Sequence, residues 1–149
     1  KVGRVNSGAI PLKAYEDLKA FKLFVLDVGL LSCMTGINQS VLLNGNELFV
    51  EFKGALTEQY VCQQFKTLPD IGIYYYNNDR NTCEVDFVID VGDKAIPVEV
   101  KAEENLKAKS LKSYRDRFSP EISVRTSMAD YRQDDRLINL PLYAVEEIL

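Results

Sequence analysis

Residues 84–101 read EVDFVIDVGDKAIPVEVK, two runs in which Val, Ile and Phe are interleaved with Glu84, Asp86, Asp90, Glu99 and Lys101. A period of two on each side of Gly92-Asp93 predicts two strands joined by a two-residue hairpin turn, for which Gly in first position is suited. In that register Val91 opposes Lys94; stepping outward, Asp86 opposes Glu99 and Glu84 opposes Lys101. A slip of one residue would set Val85 and Phe87 against charged partners, so the alternation itself specifies the pairing.

The rest of the chain gives coarser signals. Lys22–Leu26 reads as a short strand or helix start, with Asp27 as N-cap of a turn over Val28–Thr35 and Gly36 as its stop. Glu47–Leu68 is the longest helix candidate, closed by Pro69. On it Phe49, Phe52, Leu56 and Tyr60 form one apolar stripe, and Gly54, Ala55, Val61, Cys62 and Phe65 a second, with Glu58 in its middle. A carboxylate centred on an apolar stripe must find a partner, because burying it unpaired is costly.

Ile71–Tyr76 is a strand candidate and Asn105–Phe118 a second helix, with Leu106, Ser110, Leu111, Tyr114 and Phe118 toward the core. Ile122–Thr126 reads as another strand, Ser127–Arg136 as loop, and Leu140–Val145 as a last short strand. This order predicts an α/β domain, an α/β/α sandwich with a mixed central sheet covered on both faces.

Composition narrows the chemistry. The 149 residues, 46% hydrophobic and 27% charged, suit one globular domain. Apolar runs such as Leu23–Leu26 are far short of the roughly 20 residues that span a bilayer, so the expectation is a cytoplasmic protein with no membrane partner. Absence of His removes Ser-His-Asp and Cys-His triads and His-ligated metal sites. Cys33, Cys62 and Cys83 are too few and too scattered for a disulfide framework or structural zinc, and read as reduced thiols. No GxxxxGK[ST] run occurs. Net charge is −4, yet Lys107, Lys109, Lys112, Arg115 and Arg117 against Asp116 concentrate +4 in one segment, a face able to track a phosphate backbone or simply to meet solvent.

Two accounts of the hairpin charges stand side by side. In one they face water, with Glu84 and Lys101 as an ion pair. In the other Asp86 and Glu99, with Cβ atoms roughly 4.5–5.5 Å apart, grip one divalent cation, and Lys101 orients the attacking water. The triplet [DE]xK also occurs at Asp17–Lys19 and Glu51–Lys53, so only its β-rich setting distinguishes Glu99–Lys101.

Asp86 followed by Glu99-Val100-Lys101, with Glu58 on a preceding helix, resembles the PD-(D/E)XK restriction-endonuclease-like superfamily; Val85 stands where its name has Pro. PLKAY at 11–15, FKLFVLDVGLL at 21–31, GALTEQYV at 54–61, IYYYNN at 73–78, KSLKSY at 109–114 and LPLYAV at 140–145 widen the match. Together they resemble the uncharacterised C-terminal domain of bacterial and archaeal AAA-type ATPases.

The resemblance implies a restriction-endonuclease-like core at 21–149, with 1–20 as a lead from upstream winged-helix and ATPase parts that would hold any ATP. It implies Asp86, Glu99 and Lys101 as the catalytic set and Glu58 completing a shell for Mg2+ or Mn2+ with Asp86 and Glu99; the basic segment, by its charge, is compatible with DNA as partner. Three functions remain open: a metal-dependent nuclease, a silent DNA- or protein-binding regulatory module of the ATPase, and a self-association domain that forms a homo-oligomer.

Overall fold

The computed structural model describes residues 1–36, 47–78, 80, 82–102 and 109–148, with side chains from residue 52 onward in the helix that begins at 47. Lys107 of the expected basic face and Leu106 of an expected apolar stripe lie outside these residues, and the Phe49 side chain is outside the described side chains.

Eight strands form one mixed sheet: β1 (Val2–Val5), β2 (Glu16–Lys22), β3 (Gly72–Asn77), β4 (Glu84–Val91), β5 (Lys94–Val100), β6 (Ser123–Ser127), β7 (Arg132–Asp134) and β8 (Leu137–Pro141). Their order across the sheet is β2-β1-β3-β4-β5-β6-β8-β7. Three α-helices are described, α1 (Val28–Met34), α2 (Glu47–Phe65) and α3 (Lys109–Phe118), and 3-10 turns cover Leu12–Tyr15 and Leu142–Ile148. The β4–β5 hairpin keeps the expected register, running from Phe87↔Val98 to Val91↔Lys94. Gly92 occupies a left-handed conformation in the turn, φ 63°, where a Cβ carries a penalty.

Several expectations are corrected. The stretch 1–20 is not a lead outside the domain: β1 pairs parallel with β3, and β2 pairs with β1 and forms the sheet edge. Val2 and Val5 are fully buried, so the sheet's core includes them. Ser127–Arg136, expected as loop, holds β7, which pairs antiparallel with β8. The last strand begins at Leu137, earlier than the expected 140, and Leu142–Ile148 turns instead of extending.

Apolar residues divide between the two faces of the sheet. On one, Val61, Cys62 and Phe65 of α2 pack with Ile73, Tyr75, Phe87, Ile89, Ile96, Val98 and Val100. On the other, Leu111 and Tyr114 of α3 pack with Val5, Leu12, Tyr76, Val85 and Val88. Gly54 and Ala55, expected on the inner stripe of α2, are exposed, and Gln59 is buried in their stead. Its amide accepts from Val25 N and donates to Val25 O, both at 3.0 Å, while Gln63 accepts from Val28 N at 3.0 Å. These two glutamines tie the segment leading into α1 onto α2 and satisfy backbone groups that would otherwise be orphaned. Asp27 caps α1 as expected, accepting from Leu30 N at 2.8 Å.

Among the described residues no helix is long and apolar enough to cross a membrane.

Candidate functional site

The hairpin charges sit where β4 and β5 separate. Beyond Phe87↔Val98 the two strands stop pairing, and β5 continues alongside β6 through Val100↔Thr126. In the gap the Asp86 side chain accepts the Val100 backbone N–H at 2.7 Å, so a carboxylate stands in the place a main-chain carbonyl would take in a continued ladder.

A β-bulge aims that carboxylate. The β3–β4 register is Tyr74↔Val88 and then Tyr76↔Val85, so β4 carries one more residue than β3 across this stretch. Val85 and Phe87, two residues apart and so on one side of a regular strand, belong to clusters on opposite faces. The additional residue turns Asp86 toward the α2 face, together with Phe87. Glu99, flanked by Val98 and Val100 on the α2 face, alternates to the α3 face. The expected arrangement, Asp86 and Glu99 opposed on one face, is therefore replaced by two carboxylates flanking the strand gap from its two sides.

They remain coupled. Asp86 is pushed up to about 7, first by burial, then by Glu99 and Glu58, against the pull of the Val100 N–H and Lys22. Glu99 is buried, 6% exposed, with Oε1 bonded to Lys101 Nζ at 2.6 Å and its buried Oε2 left without a hydrogen-bond partner. An unpaired buried carboxylate oxygen is a position where a cation or donor would be favoured.

Glu84 does not meet Lys101, as the solvated-face account had it. It binds Lys22 Nζ at 2.7 Å and accepts from Asn77 at 3.1 Å. Lys22 also reaches Glu58 at 3.3 Å and lies over the Tyr75 ring, 5.2 Å from its centroid. Burial acts to lower the Lys22 ammonium, but Glu58, Glu84 and Asp86 outweigh it and hold it charged. Glu58 thus has the partner its stripe required, a lysine from the edge strand, which no local pattern in the sequence identifies. Among the described residues no group of three or more Cys, Asp or Glu side chains is gathered tightly enough to hold a metal ion.

In kind, the donors suit a hard cation: two carboxylates, one with an oxygen unpaired. In arrangement, Asp86 and Glu99 lie on either side of the gap, and Glu58 is engaged by Lys22.

Asp86, Glu99, Lys101 and Glu58 all surround this region. The basic residues do not converge on it as one set. Lys112 and Arg115 line a cleft on the α3 face; Lys109 is exposed; Arg117 donates to Tyr76 Oη at 3.1 Å and lies over the Phe118 ring.

A buried polar row extends the α3 face beyond the hairpin. Glu99, Arg125 and Asn139 are register partners on β5, β6 and β8. Asn139 Oδ1 accepts from Arg125 Nε at 3.0 Å and Ser127 Oγ at 2.9 Å, and its amide donates to Ala129 O and Asp130 O. Asn139 sits inside the apolar run LINLP, which is the hint its sequence offers, whereas Arg125 in SVRTS has polar neighbours and gives none.

The sheet and helices define a mixed α/β domain with helices on both faces. The chain belongs to the family described as a domain of unknown function, DUF4143, whose model matches residues 53–145. No curated protein sequence and no solved structure match it.

Proposed function

We propose that this domain is a PD-(D/E)XK-type nuclease module, C-terminal to an AAA-type ATPase, that binds DNA and hydrolyses phosphodiester bonds with Mg2+ or Mn2+. Membership of a family whose domains are typically C-terminal parts of AAA-type ATPases supports the placement. The observation that carries the chemistry is the pair of coupled carboxylates at the β4–β5 gap, Asp86 raised to about 7 and Glu99 buried with Oε2 unpaired, beside a lysine.

Asp86 and Glu99 would hold the metal, and Glu58 would join them on letting go of Lys22. When bound, the ion supplies charge neutralisation at the phosphate and a lowered pKa for a bound water. Lys101, anchored by Glu99 and partly exposed, presents positive charge where an incoming phosphate would lie, and orients water there. The bulge gives Asp86 its direction, and Val100 N–H fixes one of its oxygens so that the other is the one presented.

The test is nicking of supercoiled DNA by the full-length ATPase-containing protein with Mg2+ or Mn2+. Asp86→Ala should reduce the rate by orders of magnitude; equal nicking by both proteins removes the assignment.

One observation favours a second reading. Lys22 already places an ammonium among the acids on the α2 face, paired with Glu58 and Glu84. A domain that keeps an ammonium there in place of a metal is a silent DNA- or protein-binding regulatory module, and that reading requires DNA or partner binding without cleavage under any metal.

A further inference from the structure

Between α3 and the ends of β6 and β8 lies a cleft of about 530 Å3 lined by Lys112, Arg115, Asp116, Arg125, Asp135 and Arg136, with Ser119 and Pro120 at its edge. Its volume is in the range of small-ligand sites. Lys112, Arg115, Asp116 and Ser119 recur at helical spacing, so one face of α3 forms a wall. The opposite wall comes from the sheet, where Arg125 is nine-tenths buried and held at Nε by Asn139. Two turns close the ends: Ser119 ends α3 at φ 49°, and Asp135 takes the β7–β8 corner at φ 51°, a conformation Asp tolerates. Four cations against Asp116 and Asp135 leave the cleft net positive in a chain whose net charge is −4. The positive wall is therefore local, built by α3, β6 and the β7–β8 corner.

We propose that this cleft is a phosphate-binding site that seats the backbone of a nucleic-acid strand on the α3 face, with Arg136 and Lys112 as its accessible cations and Arg125 as the wall nearest Glu99. The inference rests on the nucleic-acid reading above and adds where the strand lies. Arg125, one wall of the cleft, is the register partner of Glu99, so that wall alone stands one strand, roughly 4.8 Å, from Glu99, while the rest of the cleft lies toward the starts of β6 and β8. Arginine forks suit phosphate oxygens, and a partly desolvated cleft strengthens each contact. Arg125 is a positioning residue: its Nε bond to Asn139 fixes the plane of its guanidinium.

The experiment is fluorescence anisotropy of a labelled single-stranded DNA with the full chain in EDTA, so that no metal contributes, comparing Arg136→Glu, Lys112→Glu and Lys66→Glu. Lys66 is exposed beyond the end of α2, on the other side of the sheet, and gives the same change in net charge. The proposal expects about tenfold weaker binding for each of the first two and a shallower salt dependence, with Lys66→Glu within about threefold of wild type. Equal losses in all three would mean that overall charge alone acts and would overturn the site; so would absence of DNA binding. Inorganic phosphate is the second probe: phosphate binding that Arg136→Glu abolishes while DNA binding is unchanged would assign the cleft to small phosphates and overturn the nucleic-acid placement. Nicking with Mg2+ is read separately. Loss of nicking in Asp86→Ala with DNA binding unchanged in Arg136→Glu leaves the nuclease reading standing and the cleft refuted. Cleft-dependent binding without nicking leaves the cleft standing and the nuclease reading refuted.

Discussion

Asp86 Oδ2 takes the Val100 backbone N–H at 2.7 Å in the gap where β4 leaves β5. That single bond ties an acidic side chain into the sheet, yet burial and the neighbouring Glu99 and Glu58 carboxylates still raise Asp86 to about 7. Because the folded state then binds a proton that an unfolded Asp, near 3.8, has already lost, the contribution of Asp86 to stability is fully present below about pH 4 and is lost as pH rises through about 7. Asp86→Asn keeps an acceptor for Val100 N–H and removes the charge. In EDTA it is expected to be more stable than wild type above pH 7, by an amount on the order of 4 kcal/mol at most. Urea denaturation across pH checks this; equal pH slopes for the two proteins would contradict it.

Lys22 is the cation on the α2 side of the gap. Lys22→Met leaves Glu58 and Glu84 facing one another and Asp86 without its pull. Expected is a loss of about 1–2 kcal/mol in EDTA, since these groups are half-buried, together with stronger Mg2+ stabilisation than wild type in a thermal melt. An unchanged Mg2+ response would show that Lys22 does not compete with a metal.

Much of the hairpin was legible from alternation alone. Gly92-Asp93 with flanking Val and Ile fixed the register from Phe87↔Val98 to Val91↔Lys94, and Asp27 and Gly36 marked the ends of the α1 turn. What was not legible shares one cause, dependence on contacts remote in sequence. The bulge at Asp86 arises from β3–β4 pairing and leaves the apolar alternation of β4 looking regular. β2, EDLKAFK, is an edge strand with polar residues on both sides and so lacks a period. Lys22 meets Glu58 across 36 positions, and Arg125 meets Asn139 across 14.

Asn139 should be the costliest polar residue on the α3 face. It is 1% exposed and bonds Arg125, Ser127, Ala129 and Asp130. Asn139→Ala strands these groups in a buried setting, with an expected loss of about 2–4 kcal/mol by urea denaturation. Asn139→Asp, which keeps the acceptor for Arg125, should lose less.

Gly92→Ala isolates backbone conformation, because a Cβ there meets nothing within 4 Å while φ is 63°. A loss of about 1–2 kcal/mol is expected, with the metal response unchanged. A larger loss accompanied by altered metal binding would mean that the turn also positions the carboxylates.

Calorimetric titration of Mg2+ and Mn2+ tests the central claim, that the carboxylates at the β4–β5 gap form a divalent-cation site. A saturable heat of about one ion per chain is expected for wild type, and its loss in both Glu99→Gln and Asp86→Asn. No saturable heat in wild type, or the same heat in all three proteins, would contradict it.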